Sequence, residues 1–173
     1  MMKKYKIFRT GGPEIIIVKQ KTIEHLIQVI KLCNKKNVFF FVIGKGSNLL
    51  ISDKGYNGIL IQIREENFSQ LTVKKKYDEH YLIQVGGGML MKTLSIESCL
   101  LSLTGLEDII DILGTVGGGI IINASYGGNW IYDALLKVKV VAPDGNTIKS
   151  FHIIIMNGFK IIFMNQINYY VIK

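Results

Sequence analysis

Cysteine is nearly absent from this chain of 173 residues, which carries only Cys33 and Cys99. The two lie far apart, with no Cys-x-x-Cys pair and no histidine at metal spacing, so neither a zinc site nor a disulfide framework is suggested. Both are expected to be buried, reduced thiols. His25, His80 and His152 also stand alone and are expected at structural or surface positions. No apolar run reaches membrane length: the longest, near Ile109 to Ala124, is broken by Asp111 and by glycines. The basic opening Met1-Met2-Lys3-Lys4-Tyr5-Lys6 lacks the apolar core of a signal peptide, so a cytoplasmic protein with no membrane partner is expected. An arginine-rich stripe and an aromatic ladder for reading bases are missing as well. The 21 basic and 13 acidic side chains leave a formal charge of +8. The lysines are scattered, however, and Lys74-Lys75-Lys76 is the only tight run, so nucleic acid is not the expected partner.

What is present is apolar material: 49% of the residues are hydrophobic and 20% charged, too apolar for disorder. The length suits one substantial domain or two small lobes around a shared cleft. Ile15-Ile16-Ile17-Val18, after the turn-forming Gly11-Gly12-Pro13, reads as a buried strand. Thr22 then caps a helix whose apolar positions Ile23, Leu26, Ile27, Ile30 and Cys33 recur at helical spacing until Asn34-Lys35-Lys36-Asn37. Val38 to Ile43 reads as a second strand covered on both faces and closed by Gly44, completing a βαβ unit that delivers the chain into a glycine-rich loop. Further strands are expected at Ile59 to Ile63, Leu71 to Lys75 and Tyr81 to Val85, with a helix from about Leu90 to Leu103. A glycine-dense region runs from Gly105 to Gly128. A hairpin joins Val138 to Val141 with Thr147 to Ile148 through Pro143-Asp144-Gly145-Asn146, where Gly-Asn is expected to supply the positive-φ residues. Phe151 to Lys173 has no capping residue and no clear period, and is read as a divergent or truncated tail.

Three glycine motifs could carry chemistry. In Gly44-Lys45-Gly46-Ser47-Asn48-Leu49-Leu50, small residues let main-chain N–H groups approach an anion, while Ser47, Asn48 and Lys45 add hydrogen bonding and charge suited to a pyrophosphate. A tight turn between strands is the competing reading. Gly86-Gly87-Gly88-Met89-Leu90-Met91-Lys92-Thr93 imitates a P-loop, but Met91 stands where that motif needs glycine, which leaves a strand-to-helix turn. The third comprises Gly105-Leu106-Glu107, Gly114-Thr115-Val116-Gly117-Gly118-Gly119 and Asn123-Ala124-Ser125-Tyr126-Gly127-Gly128. Glycine at that density requires close backbone packing or a ligand lying against the main chain.

Taken together, Thr10-Gly11-Gly12-Pro13, the Gly44-to-Leu50 loop, Asp53-x-Gly55-x-x-Gly58, Gly105-Leu106-Glu107 and Gly114 to Gly118 resemble, in order and spacing, the UDP-N-acetylenolpyruvoylglucosamine reductases. The resemblance covers residues 8 to 150. It implies an α+β, two-lobed FAD-binding domain of the vanillyl-alcohol-oxidase type, with a small lobe over about 1–64, a second lobe over about 65–150 and the substrate-binding lobe missing. It also implies that Gly44, Lys45, Gly46, Ser47, Asn48 and Leu49 wrap the FAD diphosphate non-covalently. Gly114, Thr115, Val116, Gly117 and Gly118 would approach from the other side, and Asn123 and Ala124 match the family's Asn-Ala. NADPH would be the hydride donor and a UDP-sugar enolpyruvate the substrate.

The chain departs from the family at several places. Asp111-Ile112-Leu113-Gly114 stands where the family has Gly-Ile-Pro-Gly, and the Asn-Ala segment is one residue shorter. Phe159-Lys160-Ile161-Ile162 is the nearest counterpart of a Tyr-Arg-x-Ser motif, which makes Lys160 the replacement for the family's arginine. The family's third lobe, with its catalytic serine and glutamate, has no counterpart, so a separate chain supplying the substrate domain is one expectation and a non-catalytic FAD-binding remnant another.

Overall fold

The computed structural model describes residues 14–63, 65–77, 80–152 and 170–171. Thr10 to Pro13 and Lys160 therefore lie outside the described residues. β1 (Glu14–Gln20) leads into α1 (Ile23–Lys35), where the Thr22 side chain accepts a hydrogen bond from the His25 N–H and satisfies one of the helix's open donors. Leu26, Ile30 and Cys33 form the buried stripe, and Lys35 sits in the last turn. β2 (Phe40–Ile43) and β3 (Tyr56–Ile63) follow, and the three strands make a parallel sheet in the order β1-β3-β2. The βαβ unit thus exists, but β3 is inserted between its strands: Ile16 faces Ile59 on one side and Phe40 faces Ile59 on the other.

That order constrains the chain. β2 and β3 are parallel neighbours, so the main chain must return along the sheet between Gly44 and Gly55, and it does so without a helix. Gly46 (φ +74°) and Gly55 (φ +82°) take the left-handed turns this short return demands. Two sequence expectations fail here. β2 is an edge strand not covered on both faces, with Phe39 76% and Phe41 41% exposed. Cys99 is exposed, whereas Cys33 is buried and burial raises its thiol pKa.

A single turn, α2 (Glu65–Phe68), precedes the antiparallel ribbon β4 (Leu71–Lys76) and β5 (Tyr81–Val85). The chain then turns through Gly86-Gly87-Gly88 into α3 (Met91–Leu100), as the strand-to-helix reading requires. Gly86 is structural: a Cβ there would lie 1.9 Å from the Phe68 carbonyl oxygen. α3 buries Met91, Leu94, Ser95 and Ser98, a helical stripe whose serines allow a 3₁₀ turn at Asp108–Asp111 to pack closely. α4 (Val116–Ile121) comes next, although three glycines in six residues make a poor helix former. The two-residue strands β6 (Ser125–Tyr126) and β7 (Asn129–Trp130) form a small hairpin. β8 (Lys137–Val141) and β9 (Thr147–His152) form the expected larger one, with β9 running into the segment read as tail. At its turn only Gly145 takes positive φ (+82°); Asn146 instead donates its N–H to Asp144 Oδ1 at 2.8 Å. β10 (Tyr170–Val171) pairs antiparallel with β8.

Two cores result. Leu26, Ile30, Ile61, Ile63, Phe68 and Val141 form one between the parallel sheet, α1 and the end of β8. Met89, Met91, Leu94, Ile109, Val116, Ile120, Tyr132 and Val140 belong to the other, between α3, α4 and β8. β8 contributes to both, and the Asn34 side chain donates to the Pro143 carbonyl at 2.6 Å, fastening α1 to the hairpin. Gly86→Ala is expected to lower stability by about 2–4 kcal/mol, since the Phe68 main chain must move. Urea unfolding checks this, and an unchanged midpoint would contradict the described approach of the two segments.

Candidate functional site

Two glycine loops distant in sequence meet at one place. Gly44 closes β2, and a Cβ built on it would fall 2.3 Å from Thr115 Oγ1, so only glycine allows this approach. Three residues on, the Ser47 hydroxyl donates to the Leu113 carbonyl at 2.8 Å, and a Cβ on Gly114 (φ +138°) would sit 2.9 Å from Ser47 Oγ. On the sheet side the Gln62 amide donates to the Gly44 carbonyl at 3.3 Å. Thr115 is the pivot: it is 4% exposed, extended (φ −102°, ψ 156°), and caps α4 by accepting the Gly118 N–H at 3.3 Å.

The second loop is held from behind by the Gly86-to-Gly88 turn. Val116 N–H donates to Met89 O and Gly117 N–H to Gly87 O, both at 2.8 Å, and Met91 N–H donates to Gly114 O at 3.1 Å. Gly119 carries no side chain because a Cβ there would meet Met91 Cε at 2.3 Å. These contacts hold α4 despite its composition. They also sort the amides. Those of Val116, Gly117 and Gly118 have protein acceptors, while those of Gly46, Ser47, Asn48, Gly114 and Thr115 have no hydrogen bond among the described residues. Five main-chain donors on two touching loops are a set of groups that suits an oxyanion such as phosphate. Lys45 and Asn48 are exposed at its rim.

Asn123 follows α4 in the left-handed conformation (φ +46°), and its side-chain Oδ1 is buried with no hydrogen-bond partner among the described residues. A buried acceptor left open is costly in a folded protein unless a ligand or water completes it. Ala124 is 8% exposed, and its N–H donates to Gly119 O at 2.8 Å, turning the chain back against α4. The structure brings Gly44 and Ser47 against Leu113, Gly114 and Thr115 and turns Ala124 back on Gly119; Leu49 is half-buried, and Lys160 lies outside the described residues. The sequence did not reveal Gln62 as a support, and it marked Gly86-to-Gly88 only as a strand-to-helix turn, not as the partner that holds Gly117 through Gly87 O. Behind the site Gly105 N–H donates to Glu107 Oε2 at 2.7 Å, and hydrogen bonds from the main chain at Glu107 itself and at Gly105 hold this carboxyl below its ordinary pKa.

Comparison with known proteins shows the family to which the chain belongs. The protein-family profile described as FAD binding domain matches residues 15–150. The chain is 37% identical over 147 residues to a UDP-N-acetylenolpyruvoylglucosamine reductase of Alkaliphilus metalliredigens, covering 85% of this chain and 46% of that protein. To the same-named protein of Lachnoclostridium phytofermentans it is 36% identical over 144 residues, covering 83% and 46%. It thus spans about half the length of the curated relatives it matches. Among solved structures, the UDP-N-acetylenolpyruvylglucosamine reductase of Thermus caldophilus superposes with a TM-score of 0.67 at 30% identity, over 88% of this chain and 50% of that one. An alkyldihydroxyacetonephosphate synthase superposes at 0.58 and 19% identity, over 77% of this chain and 26% of that one, a likeness of fold alone.

Removing the Ser47 hydroxyl (Ser47→Ala) is expected to cost about 0.5–1.5 kcal/mol, and Gly44→Val about 1–3 kcal/mol through overpacking against Thr115. Chemical denaturation reads both, and a Gly44→Val protein as stable as the parent would mean that the loops do not touch. For Glu107 the folded pKa is depressed, so its stabilisation is present above the ordinary carboxylate range and is lost as pH falls through the folded value. Glu107→Gln is accordingly expected to flatten the acid limb of the stability-versus-pH curve; an unchanged limb would count against the Gly105 hydrogen bond.

Proposed function

This chain belongs to the FAD binding domain family, and from that premise we propose that it holds FAD non-covalently between its two glycine loops as part of a reductase of UDP-N-acetylglucosamine enolpyruvate, with NADPH as hydride donor. The product would be UDP-N-acetylmuramate for the bacterial cell wall, and the reaction would be cytoplasmic. The observation that carries the reading is the apposition of Gly44–Ser47 with Leu113–Thr115, where five main-chain amides on touching loops have no hydrogen bond among the described residues.

The residues fit such a group. A dianionic diphosphate suits the amides of Gly46, Ser47 and Asn48 on one side and those of Gly114 and Thr115 on the other, with Lys45 adding charge at the rim. Gly117 and Gly118 act through their lack of side chains, because their N–H groups are already engaged by Gly87 O and Thr115 Oγ1. Asn123 Oδ1 is an acceptor awaiting a donor from the ribityl or ring portion of the cofactor. FAD, when bound, would supply the hydride chemistry, and the protein would supply position and electrostatics. Under this reading residues up to about 64 and from about 65 to 150 act as two lobes clamping the cofactor, and Lys160 takes the place of the family's arginine. The UDP-sugar would be held by the half of the relatives' length that this chain does not span, whether in the same polypeptide or supplied by another. A flavin-binding protein without turnover of its own is the second reading, and that half-length coverage is what favours it.

Titration of the purified chain with FAD, followed by the shift and fine structure of the flavin's visible absorption, tests the cofactor. Gly46→Leu, which places a side chain at a buried residue with φ +74°, is expected to weaken binding by roughly 100-fold or more. Asn123→Ala is expected to weaken it by about tenfold. A folded parent protein that leaves the flavin spectrum unchanged sinks the proposal.

A further inference from the structure

The first glycine loop is fastened by a side chain that belongs to none of the glycine motifs. β3 is the central strand of the parallel sheet, with β1 on one side and β2 on the other. Along it Ile59, Ile61 and Ile63 turn towards α1, and Ile61 and Ile63 are buried in that core. Side chains alternate on a strand, so Leu60 and Gln62 lie on the opposite face. There Leu60 is level with Phe41 of β2 and Gln62 with Ile43, and both Leu60 and Ile43 are buried. A half-buried amide beside such neighbours is favourable only when it is hydrogen-bonded. Its partner is the Gly44 carbonyl, one residue beyond the end of β2, to which Gln62 Nε2 donates at 3.3 Å.

Gly44 is thereby held on two sides. Thr115 closes against the position a Cβ would take, and Gln62 fixes the direction of the carbonyl. Because the peptide bond is planar and trans, the Lys45 N–H points opposite to the Gly44 carbonyl. Fastening that carbonyl to the sheet therefore turns the next N–H away from the sheet and sets the peptide plane from which Gly46, Ser47 and Asn48 follow. The platform is rigid, since Gln62 is paired in register with Lys19 on β1 as well as with Ile43 on β2.

We propose that Gln62 is a positioning residue of the cofactor site, which sets the affinity for FAD by holding the Gly44–Lys45 peptide and so acts through Gly44 rather than on the ligand. The inference rests on the reading of the two loops as an FAD site. Only a hydrogen-bond donor serves at this position. A carboxyl keeps the shape of Gln62 and donates when protonated; ionised, it sets acceptors against a carbonyl and adds negative charge to a site for a dianion. Among the described residues the charged groups around it are Lys19, level with it on β1, and Lys45, next to the bonded carbonyl. β2, Leu113–Thr115 and α4 bring no titratable side chain.

FAD titrations of the parent, Gln62→Leu and Gln62→Glu, each at about pH 8 and about pH 4.5, test this. Gln62→Leu removes the donor and is expected to weaken binding roughly fivefold at both. Gln62→Glu is expected to weaken it roughly tenfold at the higher pH, a deficit that shrinks by about threefold or more at the lower, each relative to the parent at the same pH. Parent-like binding by Gln62→Leu overturns the proposal, and so does a Gln62→Glu deficit that does not change with pH. Urea midpoints without cofactor separate the latch from the cofactor. A carboxyl held protonated by the Gly44 carbonyl has a folded pKa above its unfolded one, so its stabilisation is present at low pH and is lost as pH rises through the folded value. Gln62→Glu is therefore expected to fall behind the parent in stability from the lower pH to the higher. Flavin bound by the parent, with flat Gln62→Glu differences in both series, sinks the role of Gln62 alone. A pH-dependent urea difference in a protein whose parent binds no flavin keeps the hydrogen bond but sinks the cofactor reading, and the positioning role falls with it.

Discussion

The contact between Gly44 and Thr115 sets the positions of nearly everything else at the site. One residue ends a strand of the parallel sheet, and the other caps a helix of the second core, so their van der Waals approach fixes one core against the other at a point where neither chain segment has regular structure. The absence of a Cβ at Gly44 is what permits it. The Ser47-to-Leu113 hydrogen bond adds direction to a contact that packing alone would leave free to slide. The amides left without acceptors are a consequence of this geometry.

Much of this was legible in the sequence, and the failures have physical causes. α1 was readable because its cap, apolar period and cationic end all agree. The strand-to-helix turn at Gly86 was readable because Met91 is incompatible with the phosphate-binding alternative. α4 was not, because Gly117-Gly118-Gly119 carries the propensity of a loop, and the bonds that make it helical come from Gly87 and Met89, distant in sequence. The edge position of β2 was hidden for a similar reason. Val38 to Ile43 has the uniform apolar character of a central strand, and strand order is decided by how β3 returns, not by anything within β2. Cys99 appeared to continue an apolar helix, but α3 faces inward through Leu94, Ser95 and Ser98, which turns Cys99 outward. The turn at Asn146 shows a local competition: the Asp144 carboxylate captures its N–H and amide, which removes any need for a left-handed backbone there.

The site motifs were readable individually as glycine clusters, yet their meaning was collective. Gly44 to Leu49 could equally be a tight turn, and nothing within it distinguishes a turn from a cradle. The distinction comes from the opposing loop, which supplies Gly114 and Thr115 amides and the Leu113 acceptor. In a chain of net charge +8 the background field favours an anion without choosing a place for it, a choice that oriented main-chain dipoles would make.

A helix of six residues with three glycines has almost no stability of its own, and α4 exists because Thr115, Gly87 and Met89 hold its first turn and Met91 closes on Gly119. The element that lies between the Gly114 and Thr115 amides and the open Asn123 acceptor is thus one that cannot persist unaided. A ligand that completes the amides and Asn123 would add contacts to the folded arrangement alone, and would thereby lower the cost of ordering α4.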